Sequence, residues 1–251
     1  MTLSIRHFLM VAAMLFVLGV RGQDTVRVKG QIGFGTGYVY NAIRSEVISP
    51  LKQTGSSMPL HVYYRLEGNR DIFFVRYSYS SISLSSAYKE LIASQTSNRM
   101  DVAYHRRLNS GSAKVSIWGG VVLGLQIFAR TYSSPSGNGS ASNDNVREYY
   151  ASMSPSLLME RKVPHGSLAL QIWTSALAYA TYPKYALGLT ESGVVSTGTY
   201  RTFESRLSYV RHLSKRWDAR IDGQFQFYSL ETPQAISQAN LQLISSLVFK
   251  L

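Results

Sequence analysis

The last thirteen residues constrain the fold more than any other part of the chain. From Ala239 to Leu251 the odd positions read Ala, Leu, Leu, Ser, Leu, Phe, Leu, while the even positions Asn240 to Lys250 read Asn, Gln, Ile, Ser, Val, Lys. Side chains alternate faces along a strand, so a period of two separates two environments. Here one face is almost wholly apolar and the other is mixed to polar. The same alternation recurs upstream. Trp217, Ala219, Ile221, Gly223, Phe225 and Phe227 oppose Asp218, Arg220, Asp222, Gln224, Gln226 and Tyr228. Val26, Val28, Ile32 and Phe34 oppose Arg27, Lys29 and Gln31.

The pattern predicts ten strands, near 25–40, 59–67, 71–80, 99–108, 113–132, 148–160, 167–182, 199–213, 217–230 and 238–251, with eight or twelve as the neighbouring even counts. Two are less regular. The phase slips after Ser80. Pro155 removes a ladder donor, which predicts a bulge or an unpaired rung. The connections alternate in length. Segments 41–58, 81–98, 133–147 and 183–198 are long, while 68–70, 109–112, 161–166 and 214–216 are short and hold turn residues such as Gly68-Asn69 and Pro164-His165-Gly166.

The start of the chain reads as an export signal. Arg6 and His7 precede an apolar run, Phe8 to Val20, too short for a spanning helix, and small residues at Val20 and Gly22 place cleavage before Gln23. A retained N-terminal anchor is the alternative. The expected organisation is residues 1–22 as signal and 23–251 as one barrel. With no cysteine, disulfides and a lipid-bearing cysteine are excluded.

Together these features predict an all-β, antiparallel, transmembrane up-and-down β-barrel, with long loops outside the cell and short turns in the periplasm. Tyr38, Tyr40, Tyr77, Tyr79, Tyr132, Tyr149, Tyr150, Tyr182, Tyr200 and Tyr228 gather at the long-loop ends. Rings with one wet tip favour a membrane interface, though some of these must face the lumen mouth. A secreted soluble barrel or β-sandwich would alternate too. Against it stand the strand lengths and the glycines on the polar face, Gly33, Gly35, Gly37, Gly120 and Gly124, which suit a tight, polar interior.

The chain resembles small bacterial outer-membrane β-barrels, those of Bacteroidota more than of enterobacteria. The ending Leu247-Val248-Phe249-Lys250-Leu251 is similar to their C-terminal assembly signal, carried by Leu247, Phe249 and Leu251. It departs from the commonest form, in which the aromatic residue is last. The resemblance implies an outer-membrane location, with outer-membrane lipids and the assembly machinery as partners.

Net charge is +12 for the whole chain and +10 without Arg6 and Arg21. The long loops balance Arg44, Lys52, Lys89, Arg147 and Lys184 against Glu46, Glu90, Asp144, Glu191 and Glu231. The short turns carry Arg70, Arg161, Lys162, Lys215 and Arg216 with no acid, a basic periplasmic rim suited to anionic headgroups. Ordinary solvated turn residues would look the same. No surface combines basic and aromatic residues as a nucleic-acid groove requires. The inward face is expected to hold Arg27, Lys29, Arg65, Glu67, Arg107, Lys114, Arg130, Glu160, Arg201, Glu204, Arg206, Asp218, Arg220, Asp222 and Lys250. Such charges must pair or stay hydrated. They form either a salt-bridged plug or an anion-preferring constriction.

No cluster names a reaction. Asp101, His105 and Ser116 are the one tempting trio, but Asp101 lies about 13 Å along the strand from His105 at ~3.3 Å per residue, too far to orient its ring. No cofactor or metal spacing is present. Ten-stranded barrels include surface proteases of the omptin type. Here His61 is the one histidine near the outer rim, and few acids accompany it. The expected role is a non-enzymatic narrow pore or scaffold. The alternatives are a surface hydrolase of omptin or lipid A-modifying type, and an accessory subunit of a transport or secretion complex, its partner unknown.

Overall fold

The computed structural model describes residues 29–45, 49–86, 92–110, 113–133, 146–184, 189–231 and 235–251. The expected signal segment 1–22 and Arg27 lie outside them. Among the described residues there are thirteen strands and no helix: β1 (Lys29–Ser45), β2 (Ser49–Ser57), β3 (Leu60–Glu67), β4 (Asp71–Ser86), β5 (Ile92–Arg107), β6 (Val115–Ser133), β7 (Val146–Val163), β8 (Gly166–Thr174), β9 (Leu177–Lys184), β10 (Leu189–Ser196), β11 (Tyr200–His212), β12 (Trp217–Leu230) and β13 (Ile236–Lys250).

Every pairing is antiparallel, and the sheet closes on itself. The ring runs β1, β3, β4, β5, β6, β7, β8, β11, β12, β13 and returns to β1, where Gln31 meets Lys250 and Ser45 meets Ile236. Thirteen strands make ten staves because three staves are interrupted. β2 and β3 keep one register against β1 from Lys29 to Ile43, interrupted at Pro59, which has no N–H to give, and the register shifts only beyond Ile43, where Ser45 meets Ser49. β9 continues β8 after Ser175-Ala176, and β10 leads into β11 through 197–199. The unpaired rung expected at Pro155 is present on one side, with the extra residue carried by the facing stave. Pro155 holds register with Val121 on one side, while on the other Ser156 pairs Trp173 and Met153 pairs Leu177, leaving one extra residue in the facing stave.

The apolar face points outward. Phe34, Leu60, Phe203, Leu207, Ile221, Leu241, Leu243 and Leu247 are all exposed, whereas the polar residues between them are buried inside. Aromatic residues flank this belt at both ends. Tyr38, Tyr40, Tyr77, Tyr79, Tyr149 and Tyr179 lie toward the long connections, and Tyr104, Tyr209 and Trp217 toward the short turns. Trp217 and Phe227 are ten residues apart on β12. That is about 33 Å of strand, or about 25 Å of height at the usual barrel tilt, the thickness of an outer-membrane apolar band.

The long connections differ from expectation. Segments 41–58, 81–98 and 183–198 are largely strand, so the sheet rises past the belt as paired hairpins. The phase slip after Ser80 is a change of chemistry rather than of geometry. β4 keeps even residues inside throughout, but above Ser80 the inward residues are Ile82 and Leu84 and the outward ones Ser81, Ser83 and Ser85. Ile82 and Leu84 pack with Val39, Ile43 and Ala93 into a dry core. Polar outside and apolar inside is the pattern of a barrel in water, so the inversion marks where β4 leaves the belt.

Gly33 is one of several glycines fixed by a close approach. A Cβ on Gly33 would lie 2.2 Å from the Tyr63 ring, which crosses β1 on the inner face. Gly223 faces open space, with nothing within 4 Å of a Cβ. Gly33→Val is expected to destabilise the folded barrel by about 1–3 kcal/mol, and Gly223→Ala to leave it unchanged. Urea titration followed by heat-modifiable gel migration measures both. Equal stability of the two variants would refute the packing role of Gly33.

Candidate functional site

The inward face is the only surface of the described barrel where charged residues meet in a confined space, and it is packed in three tiers. The upper tier is aromatic. Tyr150, Tyr200, Tyr228 and Phe128 are each buried, with Tyr150 and Tyr200 stacked at 5.2 Å and Phe128 and Tyr228 at 5.7 Å. They come from β7, β11, β12 and β6, one side of the ring, and the Arg130 network carries the tier on to β5, β13 and β1. Arg130 lies over Phe128 at 5.0 Å. It donates to Gln95 at 2.7 Å, to Gln238 at 3.1 Å and to Glu148. Gln238 in turn donates to Asn41 at 3.3 Å.

The middle tier is an ionic network joining opposite walls. Arg99 on β5 donates to Asp101 at 2.9 Å and to Glu204 on β11 at 2.9 Å. Arg76 on β4 pairs with Asp101 and donates to Gln224 on β12 at 2.9 Å. Gln226 donates to Gln126 at 3.0 Å across the same gap. Arg220 pairs with Asp222 at 2.8 Å and lies 4.8 Å over the Tyr63 ring. Asp222 also accepts from Ser208. Arg65 holds both Glu67 and Glu160 at 2.9 Å. The space left among these groups is a cavity of about 40 Å³.

The lower tier opens to the short-turn mouth as a vestibule of about 560 Å³, lined by Lys29, Glu67, Arg107, Lys114, Ser116, Trp118, Glu160, Arg161 and Lys162 among others. Asp218 sits at this end, fully buried, accepting from Lys250 at 2.7 Å beside His212 at 2.9 Å.

The structure therefore places Arg65, Arg130, Glu204, Arg206, Arg220 and Asp222 in the packed lumen and Lys29 at its lower mouth. Arg201 is not inside. Its side chain is 59% exposed and faces Glu231, because its odd number puts it opposite to Glu204 on β11. Arg206 and Asp222 do not pair, although the hairpin register makes them diagonal neighbours. Arg206 lies over Trp173 at 5.5 Å and Phe74 at 5.7 Å, and its Nε and Nη2 have no partner among the described residues. Arg70, Arg161, Lys162, Lys215 and Arg216 are all exposed at the short-turn end. Leu247 and Leu251 are exposed on the outer face, and Phe249 meets Trp217 edge-on at 5.0 Å.

The expected set omits Arg76, Arg99, Asp101 and Glu148, which carry much of the network. Parity would have found three of them. Arg107 on β5 faces inward, so Arg99, Asp101 and His105 must as well, and Glu160 on β7 carries Glu148 and Tyr150 inward with it. The trio of Asp101, His105 and Ser116 is dispersed. Asp101 serves Arg76 and Arg99, His105 meets Ser156 at 3.0 Å, and Ser116 accepts from Arg107. His61 is not at the rim. It is 4% exposed and lines the small central cavity, because the stave continues above it as β2.

Arg99 and Arg206 make opposite demands. Removing Arg99 leaves Glu204 buried without its cation, so Arg99→Met is expected to cost about 3–5 kcal/mol. Arg206 has no acid to abandon, and Met keeps contact with Phe74 and Trp173. Arg206→Met is therefore expected to be neutral or stabilising. Urea unfolding midpoints of the two variants check the contrast, and a loss at Arg206 as large as at Arg99 would contradict it.

No family model matches the chain, and no curated protein matches it. Among solved structures it is similar to the outer-membrane protease OmpT from Escherichia coli, with a TM-score of 0.56 at 9% identity over 92% of this chain and 99% of that one. It also aligns with Ail, the attachment invasion locus protein of Yersinia pestis, at a TM-score of 0.38, 11% identity and coverage of 88% and 99%. An outer-membrane channel from Pseudomonas putida F1 aligns at 0.39, 12% identity and coverage of 91% and 97%. These last two superpose too loosely to carry an argument. The OmpT likeness speaks for architecture alone, and it agrees with the closed ring of ten staves: the fold is that of an outer-membrane β-barrel.

Proposed function

We propose that the protein resides in the outer membrane, exported through its N-terminal segment, and serves there as a sealed, non-enzymatic scaffold rather than as an open pore. The observation that carries this reading is direct contact between opposite walls of the lumen. Arg99 reaches Glu204, Arg76 reaches Gln224, and above them the Tyr150, Tyr200 and Tyr228 layer together with Arg130, Gln95, Gln238 and Asn41 fills the barrel. A conducting lumen needs a continuous wet path, and these contacts interrupt it at two heights. Between them and the short-turn mouth, the narrow anion-preferring pore would have to break buried ion pairs at several kcal/mol each.

The exterior supports the location. Its apolar belt and two aromatic flanks suit outer-membrane lipids, and the C-terminal strand with Leu247, Phe249 and Leu251 is the segment the assembly machinery would read. The surface hydrolase reading loses the histidine it relied on, since His61 lies inside the barrel beneath the β1–β2 hairpin. Docking of an accessory complex on the basic rim of Arg70, Arg161, Lys162, Lys215 and Arg216 remains compatible with a sealed lumen.

Planar-bilayer recording tests the reading. The purified protein is expected to give no discrete conductance steps in 1 M potassium chloride (about the salt at which surface screening is nearly complete). Reproducible single-channel steps from the unmodified protein would reject the scaffold in favour of the pore.

A further inference from the structure

The sealed middle tier leaves the lower vestibule as a blind pocket, and its charge is not balanced. Five cations line it: Lys29, Arg107, Lys114, Arg161 and Lys162. The two carboxylates on its wall, Glu67 and Glu160, are both turned to Arg65 at 2.9 Å. That single arginine offsets one of them, so the five cations face only one uncompensated carboxylate. The acids of the middle tier just above are all taken by its own arginines, and Arg206 there has none, so no carboxylate is left to spare for the vestibule.

Two buried donors at this site also lack partners. Trp118 is 3% exposed and lines the pocket, and its Nε1 has no hydrogen-bond acceptor among the described residues. Arg107 spends one end on Ser116 and lies 5.2 Å over the Trp118 ring, while its Nε is unpartnered. Buried donors left unmade cost free energy comparable to a lost hydrogen bond. An acceptor entering the pocket would recover that cost, and clustered cations over low-dielectric walls raise the local concentration of anions.

We propose that this vestibule is a binding site for a small polyanion carrying at least two phosphate or carboxylate groups. A volume of about 560 Å³ falls within the range of small-molecule sites. The site has an opening to one side only, so it binds without passing its ligand onward. Arg107 and Trp118 form its floor, and the lysines near the mouth, Lys114 and Lys162, supply mobile charge. The shared chemistry admits two sources, a soluble polyanion or the phosphate of a lipid headgroup turned into the mouth.

The test uses the exported protein folded in detergent micelles, with pyrophosphate as the probe and calorimetry as the readout. Saturable binding is expected, weakening as salt rises. The double variant Lys114→Gln/Lys162→Gln is expected to raise the dissociation constant about tenfold or more. The variant Lys215→Gln/Arg216→Gln, on the same rim but outside the pocket, is expected to leave it within about twofold. Heat-modifiable migration verifies that each variant is folded. In nanodiscs, pyrophosphate binding that survives in phosphatidylcholine but is lost in phosphatidylglycerol assigns the site to lipid headgroups. Equal binding in both assigns it to a soluble anion. Absence of saturable binding in micelles, or equal weakening by the two double variants, overturns the proposal. The blind end of the pocket rests on the sealed-lumen reading, whereas the anion site rests on its own lining: failure of binding leaves the sealed lumen standing, and conductance by the unmodified protein would reject the sealed lumen and the blind end while leaving the binding result to decide the site.

Discussion

Ring closure is the constraint from which the rest of the structure follows. A sheet facing hydrocarbon has no water to satisfy an open edge, and each unsatisfied backbone group costs several kcal/mol there. The first and last strands must therefore meet. β1 and β13 do so over their whole shared length, from Gln31 with Lys250 to Ser45 with Ile236. This pairing explains why the C-terminal strand has the strongest alternation in the sequence. Its outer face meets lipid, its inner face meets the lumen, and both of its edges are hydrogen-bonded. The interruption at Pro59 lies between the continuous strands β1 and β4, and those at 175–176 and 197–199 lie in adjacent staves beyond the Phe203–Thr174 pair, where β8 and β11 are already joined, so none of them opens the ring.

Closing ten tilted staves also fixes the interior, and the interior is narrow. A ring this size leaves room for side chains but not for side chains and a water column together. The sequence fills it differently at each height. Where the outer face is apolar, the inner face carries paired charge, as with Arg76, Arg99, Asp101 and Glu204. Where the sheet rises clear of the belt, polarity inverts and the inner face turns to Ile82, Leu84, Ile43 and Val39. The aromatic layer of Tyr150, Tyr200 and Tyr228 lies where the two regimes meet. It belongs to the apolar core, yet its hydroxyls reach the charged groups, as Tyr150 does in donating to Glu148 at 2.9 Å.

Much of the fold is legible in the alternation and the turn residues. Ten staves, tight turns at Gly68-Asn69 and Pro164-His165-Gly166, and the register of the last hairpins follow from them, including Ser208 beside Asp222 and His212 beside Asp218. The extramembrane hairpins are harder to read because their inverted polarity looks like a loss of phase at Ser80 or like loop composition near Ser49–Ser57. The lumen is legible one strand at a time. Arg107 implies Arg99 and Asp101 by parity, and the same rule excludes Arg201. Partner choice is not, because Asp222 is taken by Arg220, two residues before it on β12, rather than by its diagonal neighbour Arg206 on β11, and register alone does not choose between them.

That partner choice shapes the charge along the axis. Asp101 is shared by Arg76 and Arg99, and Arg65 is shared by Glu67 and Glu160, so the network contains one two-to-one cluster of each sign. The surplus at Asp101 is taken up by Glu204 on the far wall. The surplus carboxylate at Arg65 lies on the vestibule wall, and it is the one uncompensated negative charge lining it against the five cations. The proposed sealing and the proposed anion site thus have one arrangement behind them. Arginines that close the lumen must find acids inside it, and those acids are then spent and cannot neutralise Lys29, Arg107, Lys114, Arg161 and Lys162 below.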